Sequence, residues 1–393
     1  MNKSFDLFLT DELKKVEDRG IKRHLRTLQS PQGPKVMIDG KEYLNFCSND
    51  YLGLANDKRL KDAAKECITK EGLGSGASRL VCGNLSAHVE LEKSLAEFKG
   101  TESALVFNTG YMANVGIISA LFDRQDMIFA DKLNHASIVD GILLSQAKFK
   151  RYPHNDMGAL EELLKTETGK KRVIITDSVF SMDGDLAPLD KIVELAKKYD
   201  CLVMIDEAHA FGIMGKNGKG LVEHFGVEKE IDIQMGTLSK AVGSFGAYVC
   251  GSSKLKTFLV NKARSFIYTT ALPPSVAAAS KMGIDIIRQD LALRQKLWDN
   301  TKMLHQELKR LGFNIMNTET PITPIFVGDA VEAIHFSKKL FEAGILISAI
   351  RPPTVPQNTS RLRLTVTAGH AKEDMMQLLS VLERIGKELC LIG

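Results

Sequence analysis

From about residue 101 the chain alternates between short, unbroken apolar runs and longer amphipathic stretches. The runs include "SALVF", "MIFA", "RVIIT" and "CLVMID"; helical stretches such as 157–166 and 188–199 separate them. A strand that is apolar at every position needs cover on both faces. Such strands alternating with helices predict a buried, mostly parallel sheet. "GAYVCGS" (246–252) supplies a further strand. The run 103–122 is uncharged and long enough for a bilayer, but Asn108, Thr109, Gly110 and Asn114 interrupt it. A strand, a turn and a buried helix fit it better than a membrane span.

The flanks have a different character. Residues 1 to about 30 read as a charged, amphipathic helical arm without the apolar centre of a signal peptide. Segment 35–54 reads as a hairpin turning at Asp39-Gly40, followed by an extended loop. Two amphipathic helices, 57–71 and 87–99, enclose the glycine-rich loop "EGLGSGASRLVCG". After Pro273-Pro274 comes a long helical region, about 276–312, and then a small α/β unit ending in a helix near 371–389. These breaks divide the chain into an arm and hairpin (1–45), a large domain (46–285) and a small C-terminal domain (286–393). A length of 393 residues accords with more than one core. The net charge of +4 gives no reason to expect nucleic acid or an anionic membrane as partner. Six scattered cysteines without a C-x-x-C pair read as reduced, mostly buried thiols of a cytoplasmic protein. They suggest no metal site.

Several short motifs carry possible chemistry, and each has a plain structural alternative. In "VMIDEAHAFGIMG", Asp206 closes an apolar strand and His209 follows three residues on. A strand-end carboxylate there suits a protonated ring nitrogen or a metal, because ligands of open α/β sheets bind beyond the strands' carboxyl ends. Capping of a helix is an equal alternative. Thr109-Gly110 begin a helix whose free amides suit a phosphate. His135, Ser178 and Ser181 are, one by one, ordinary loop residues. In "GTLSKAVGSFGAY" (236–248) Lys240 is the only charged residue. Burial disfavours the ammonium and yields a nucleophilic amine able to form a Schiff base; a lysine with a buried stem and a solvated head is the plain alternative. No dinucleotide, P-loop, H-E-x-x-H or G-x-S-x-G pattern is present. The order of phosphate-binding turn, histidine, strand-end Asp-x-x-His and isolated lysine matches the parts of a pyridoxal 5'-phosphate (PLP) site.

The motifs "SNDYLGL" (48–54), "GSGASR" (74–79), "NTGYMAN" (108–114), "NHAS" (134–137), "SVFSMDGD" (178–185), "DEAH" (206–209), "GTLSK" (236–240) and "YTTALPP" (268–274) together resemble the α-oxoamine synthases. These are PLP enzymes of fold type I, similar to the class II aminotransferases. The resemblance runs from about Arg23 to the last helix. It implies a mostly parallel seven-stranded sheet in the large domain, a small C-terminal α/β domain and a homodimer. Segment 349–370, "AIRPPTVPQNTSRLRLTVTAGH", is most similar to the branch that joins L-alanine to a pimeloyl thioester in biotin synthesis, an acyltransferase reaction that releases CO2. The acyl carrier is CoA or an acyl carrier protein. Branches using glycine with acetyl-CoA, or serine with a long acyl thioester, are the rivals. A non-catalytic PLP-fold binding protein is disfavoured by the complete motif set.

The resemblance implies a role for each matching residue. Lys240 would bond PLP, Asp206 would pair with its ring nitrogen, His135 would stack on the ring, and His209 would approach the ring oxygen with Ser181 nearby. Gly110, Tyr111 and Thr237 would lie at the phosphate, and Thr270 would reach the phosphate of a neighbouring subunit. Arg363 would hold the amino-acid carboxylate. Arg23, Arg351 and Thr354 would line the acyl path, with Asn49 and Ser78 also on the substrate side. "DEAH" replaces a commoner "DDAH", and Ala210-Phe211 depart from the usual residues after it, which predicts an altered acyl pocket.

Overall fold

The computed structural model describes residues 2–18 and 22–393. In chain order, α1 (Lys3–Asp18) precedes the hairpin β1 (Lys35–Ile38) and β2 (Lys41–Asn45), and α2 (Lys58–Glu71) and α3 (Ser86–Lys99) follow. The central region contains β3 (Ser103–Phe107), α4 (Gly110–Leu121), β4 (Met127–Asp131), α5 (Ala136–Ser145), β5 (Lys148–Tyr152), α6 (Met157–Thr166) and β6 (Arg172–Asp177). It continues with α7 (Leu189–Tyr199), β7 (Leu202–Asp206), α8 (Leu221–Phe225), β8 (Ile233–Thr237), β9 (Ala247–Gly251), α9 (Ser253–Lys262) and α10 (Arg264–Ile267). The chain then forms α11 (Pro274–Gln289), α12 (Leu291–Arg310), β10 (Ile322–Gly328), α13 (Ala330–Glu342), β11 (Ile345–Leu346), β12 (Ser348–Ile350), β13 (Ser360–Thr365) and α14 (Lys372–Glu388).

Strands β3 to β9 form one seven-stranded sheet in the order β3-β9-β8-β7-β6-β4-β5. Only β9 runs antiparallel, to both of its neighbours. This is the PLP-dependent fold type I. Alternate strand residues feed two cores. Leu105 and Phe107 join Ile117 of α4, Ile138 of α5 and Leu259 of α9 on one face. Ala104 and Val106 join Leu91 of α3, Leu160 of α6, Ile192 of α7 and Ile284 of α11 on the other. Parallel strands covered this way carry their loops, and therefore their polar chemistry, at the carboxyl ends.

The arm departs from expectation. Helix α1 ends at Asp18, and residues 22–29 are not helical; 19–21 lie outside the described residues. Gln29 N–H instead donates to Met37 O at 2.8 Å, so the chain runs beside the hairpin. The hairpin itself adds to a C-terminal strand: β2 pairs with β11 in parallel, Ile345 opposite Leu44. The long helix expected over 276–312 is two helices. Asp290 breaks it with φ −102° and ψ 79°, and its side chain accepts from Leu293 N. The second small sheet has the order β10-β13-β12. All six cysteines are free; only Cys67 and Cys250 are buried, while Cys82 and Cys390 are exposed, so the thiols are less buried than expected. Among the described residues no helix is long and apolar enough to cross a membrane.

Two histidines near the C-terminal sheet are expected to make the fold lose stability at low pH. His370 stacks on Phe46 with centroids 4.1 Å apart and contacts Asn45 O at 3.1 Å. His305 contacts Thr323 Oγ1 at 2.9 Å. Burial, as the leading cause, depresses both from the ordinary 6.5 to about 4. Between those values the unfolded chain binds protons that the folded chain refuses, so stability is full above pH 6.5 and declines as pH falls towards 4. The urea midpoint is expected to drop across that window, and His370→Gln is expected to flatten the drop; an unaltered slope in the variant would refute the assignment.

Candidate active site

A cavity of about 190 Å³ opens beyond the carboxyl ends of β6, β7 and β8. Its wall includes Gly110, Tyr111, Asn114, His135, Ser181 and Asp206, together with His209, Thr237 and Lys240. The sheet brings these distant motifs together. Asp206 is the last residue of β7, with Asp177 directly opposite it on β6. Asp206 Oδ2 accepts from Asn114 Nδ2 at 2.8 Å, and Oδ1 accepts from Ala208 N at 2.8 Å. It caps no helix; both of its oxygens accept from donors within the chain.

Asp177 has the opposite character. Burial, then the nearby Asp206 charge, push its pKa well above the carboxylate value. It also accepts from His135 N at 2.7 Å. His135 is the N-cap of α5, exposed on the cavity wall, with Nδ1 2.8 Å from Ser137 Oγ. His209 Nδ1 lies 2.6 Å from the hydroxyl of Tyr51, which is fully buried. Burial, then the neighbouring Lys240, lower the His209 pKa well below 6.5, and burial pushes Tyr51 up to about 12. A phenol that donates to Nδ1 leaves Nε2 to carry the proton of the neutral imidazole.

Lys240 occupies the connection between β8 and β9, which closes through Leu238 N to Gly246 O at 2.9 Å and Gly243 N to Lys240 O at 2.9 Å. Leu238, Ala241 and Val242 around it are buried. Burial is the main cause of its lowered pKa; Arg363 adds to the effect, and Asp206 and Asp177 oppose it. The site therefore favours a neutral amine more than water does.

The donor set fits PLP. The amides of Gly110 and Tyr111 find no acceptor among the described residues, as expected for the first turn of a helix. Thr237 lies against them so closely that a Cβ on Gly110 would come within 2.8 Å of its Cγ2. These groups form an anion cradle. At the other end stands the Asp206 carboxylate, with Lys240 also on the wall. Asn114 Oδ1 is buried with no partner among the described residues, so the wall presents an acceptor still to be satisfied.

Beside Ser181 of the cavity wall, Arg363 of β13 donates from Nε to Ser181 O at 2.5 Å, from Nη1 to Thr365 Oγ1 at 3.0 Å and from Nη2 to Asn49 Oδ1 at 3.0 Å. Arg363, Asn49 and Ser181 therefore form one group. Like Arg363 and Asn49, the remaining candidates do not line the cavity. Arg23, Thr270 and Thr354 are exposed, and Ser78 and Arg351 are half-buried. Phe211 does not face the cavity: it is buried in the core against the rings of Phe98 and Tyr248, at 5.7 and 5.0 Å, and Ala210 is fully buried beside it. The expected effect of this pair on an acyl pocket is corrected to a core role. Tyr51, Asn114 and Asp177 were not among the sequence candidates. Tyr51 and Asn114 lie inside "SNDYLGL" and "NTGYMAN", but nothing in their spacing reveals that they contact His209 and Asp206.

Known proteins share this architecture. The family model for class I and II aminotransferases matches residues 41–382. The 8-amino-7-oxononanoate synthase of Geobacter sulfurreducens is 50% identical over 387 residues, covering 98% of this chain and 99% of that protein. Among solved structures, serine palmitoyltransferase with a PLP internal aldimine superposes with a TM-score of 0.94 at 33% identity, covering 99% of both chains. The 8-amino-7-oxononanoate synthase of Francisella tularensis superposes with a TM-score of 0.77 at 33% identity, covering 88% of this chain and 98% of the other.

Replacing Asn114 tests the wall directly. Asn114→Leu removes the donor to Asp206 Oδ2. Hydrogen bonds to charged groups contribute about 1.5–3 kcal/mol, so a PLP dissociation constant raised by about tenfold or more is expected. An unchanged constant in a fluorescence titration, with an intact circular dichroism spectrum, would show that Asn114 only packs.

Proposed function

The chain belongs to the class I and II aminotransferase family, among the 8-amino-7-oxononanoate synthases, and on that premise we propose that it condenses L-alanine with a pimeloyl thioester. The enzyme is a PLP-dependent acyltransferase of biotin biosynthesis. The product is 8-amino-7-oxononanoate, released with CO2 and the free thiol, and the acyl group arrives on CoA or on an acyl carrier protein. The observation that carries this reading is the meeting of Lys240, Asp206 and the Gly110–Tyr111 amides on one cavity wall, in a chain half identical to a named synthase.

When bound, PLP supplies an aldehyde that bonds an amine and a protonated ring that withdraws electrons from a neighbouring Cα. Lys240 would bond that aldehyde. Its burial favours the neutral amine, which, when free, would take the Cα proton of alanine as general base. Asp206, braced by Asn114, would pair with the ring nitrogen. Neutral His209, aligned by Tyr51, would offer a donor to the ring oxygen, and His135 would stack on the ring. Gly110, Tyr111 and Thr237 would hold the phosphate. Arg363 and Asn49 hold the alanine carboxylate. The bond changes balance: alanine Cα bonds to the thioester carbonyl carbon, the thiol leaves, the alanine carboxylate departs as CO2, and a proton replaces it.

We assign the working form as a homodimer. Thr270 is exposed and does not line its own chain's cavity, which suits a reach to the phosphate in a neighbouring subunit. Arg23, Arg351 and Thr354 are assigned to the acyl path from their motif positions, and Ser78 to the substrate side. Six free thiols suit a reducing compartment, the cytoplasm.

The serine palmitoyltransferase likeness makes serine the natural competitor. Purified holoenzyme is expected to turn over L-alanine with pimeloyl-CoA, and serine or glycine poorly. Preference for serine with a long acyl thioester, or for glycine with acetyl-CoA, would move it to another branch. Lys240→Ala is expected to lose both turnover and the visible absorbance of lysine-bound cofactor; normal turnover by that variant would exclude Lys240 as the base.

A further inference from the structure

Residues 178–187 form a strap between the large sheet and the small C-terminal unit. At its base Ser178 donates twice to Asp206 O, from N at 2.9 Å and from Oγ at 2.8 Å. Val179 bridges to Leu186, and Ala187 N returns to Ser178 O at 3.0 Å. The tip rests on the small unit. Asp183 is paired with Arg361, Gly184 O accepts from Thr320 Oγ1 at 2.9 Å, and Ser181 O accepts from Arg363 Nε. The seat is close: a Cβ on Gly184 would come within 2.2 Å of Ile322 O, and its φ of +72° favours glycine.

On the large-unit side, the charged contact is His154. Its Nδ1 lies 3.1 Å from Asp131 Oδ1, and its Nε2 lies 2.7 Å from Asp185 Oδ2. Asp131 is itself fixed at the end of β4, where it accepts from Leu133 N at 2.8 Å and Asn155 N at 2.9 Å. Asn155 Nδ2 adds a bond to Asp185 Oδ2 at 3.1 Å. The His154 ring stands edge-on to Phe180 of the strap, centroids 4.3 Å apart. Burial opposes charge on His154, but the two carboxylates outweigh it and push its pKa up to about 10, so both nitrogens donate at neutral pH. Arg363 and Asp206 have parts in the proposed function; His154 has none.

We propose that His154 is a positioning residue for the amino-acid carboxylate site. It ties the strap to Asp131 through Asp185, and the strap in turn fixes Ser181 O, to which Arg363 Nε is bonded. The guanidinium direction is thereby set by the strap together with Asn49 and Thr365. This inference rests on the reading of Arg363 as the carboxylate holder.

The test uses PLP-loaded full-length enzyme and two readouts: the L-alanine dissociation constant from cofactor absorbance, without acyl thioester, and the thermal midpoint. His154→Phe keeps the ring against Phe180 and loses both hydrogen bonds. Its alanine constant is expected to rise by about tenfold, the scale of one weakened hydrogen bond to a charged group. Asp185→Asn retains an acceptor for Nε2 and is expected to stay much nearer to wild type. A lowered midpoint with an unchanged alanine constant would overturn the inference and leave His154 a purely stabilising residue. If His154→Phe does not fold, Asp185→Ala removes the strap side of the contact and is judged by the same two readouts. Arg363→Lys separates the two readings: if it leaves alanine binding intact, the carboxylate assignment fails and the inference falls with it, whereas a weakened Arg363→Lys beside an unaffected His154→Phe overturns the strap argument alone.

Discussion

The buried end of β7 is the point on which the site depends. Asp206 serves through three different parts. Its carboxylate is held by Asn114 of α4 and by Ala208 N. Its carbonyl receives both donors of Ser178 and so fixes the base of the strap. Its place in the ladder sets Asp177 opposite, and Asp177 accepts from the amide of His135. A register slip of one residue would turn the acid into the core and separate these partners.

Electrostatics then divide the titratable groups. Two acids side by side in a buried site cannot both ionise without a large penalty. Burial, then the charge of Asp206, drive Asp177 towards its neutral form, while both oxygens of Asp206 accept hydrogen bonds. The same burial lowers His209 and Lys240, so a neutral imidazole and a neutral amine are favoured beside a carboxylate. One desolvated site thus supplies a hydrogen-bonded acid, a neutral hydrogen-bonding ring and a nucleophile. The small unit completes it by delivering Arg363, whose three donors go to Ser181, Thr365 and Asn49.

What was legible in the sequence follows from burial pattern. Strands β4, β6 and β7 are apolar almost throughout because helices cover both faces, and they read clearly. Strand β5, "KFKRY", escaped the reading because it is the sheet edge; four of its five residues are exposed, and charge there is how an edge avoids pairing with another chain. Strand β8, "IQMGT", is fully buried, yet Gln234 and Gly236 break its apolar run. The small unit's pairing was hidden for another reason. Leu44 and Ile345 are distant in sequence, and no local pattern joins β2 to β11.

By itself the sequence determined the sheet class, the two-sided burial of its strands and the presence of an isolated lysine among small apolar neighbours. These depend on local composition and period, which a linear chain displays. Only the tertiary structure decided that Tyr51 meets His209, that Asn114 braces Asp206, that Phe211 packs in the core, and that His154 bridges two carboxylates. Those contacts join residues far apart in the chain. Their energies arise from desolvation and from the angles at which side chains meet, and both exist only once the sheet and its covering helices have assembled.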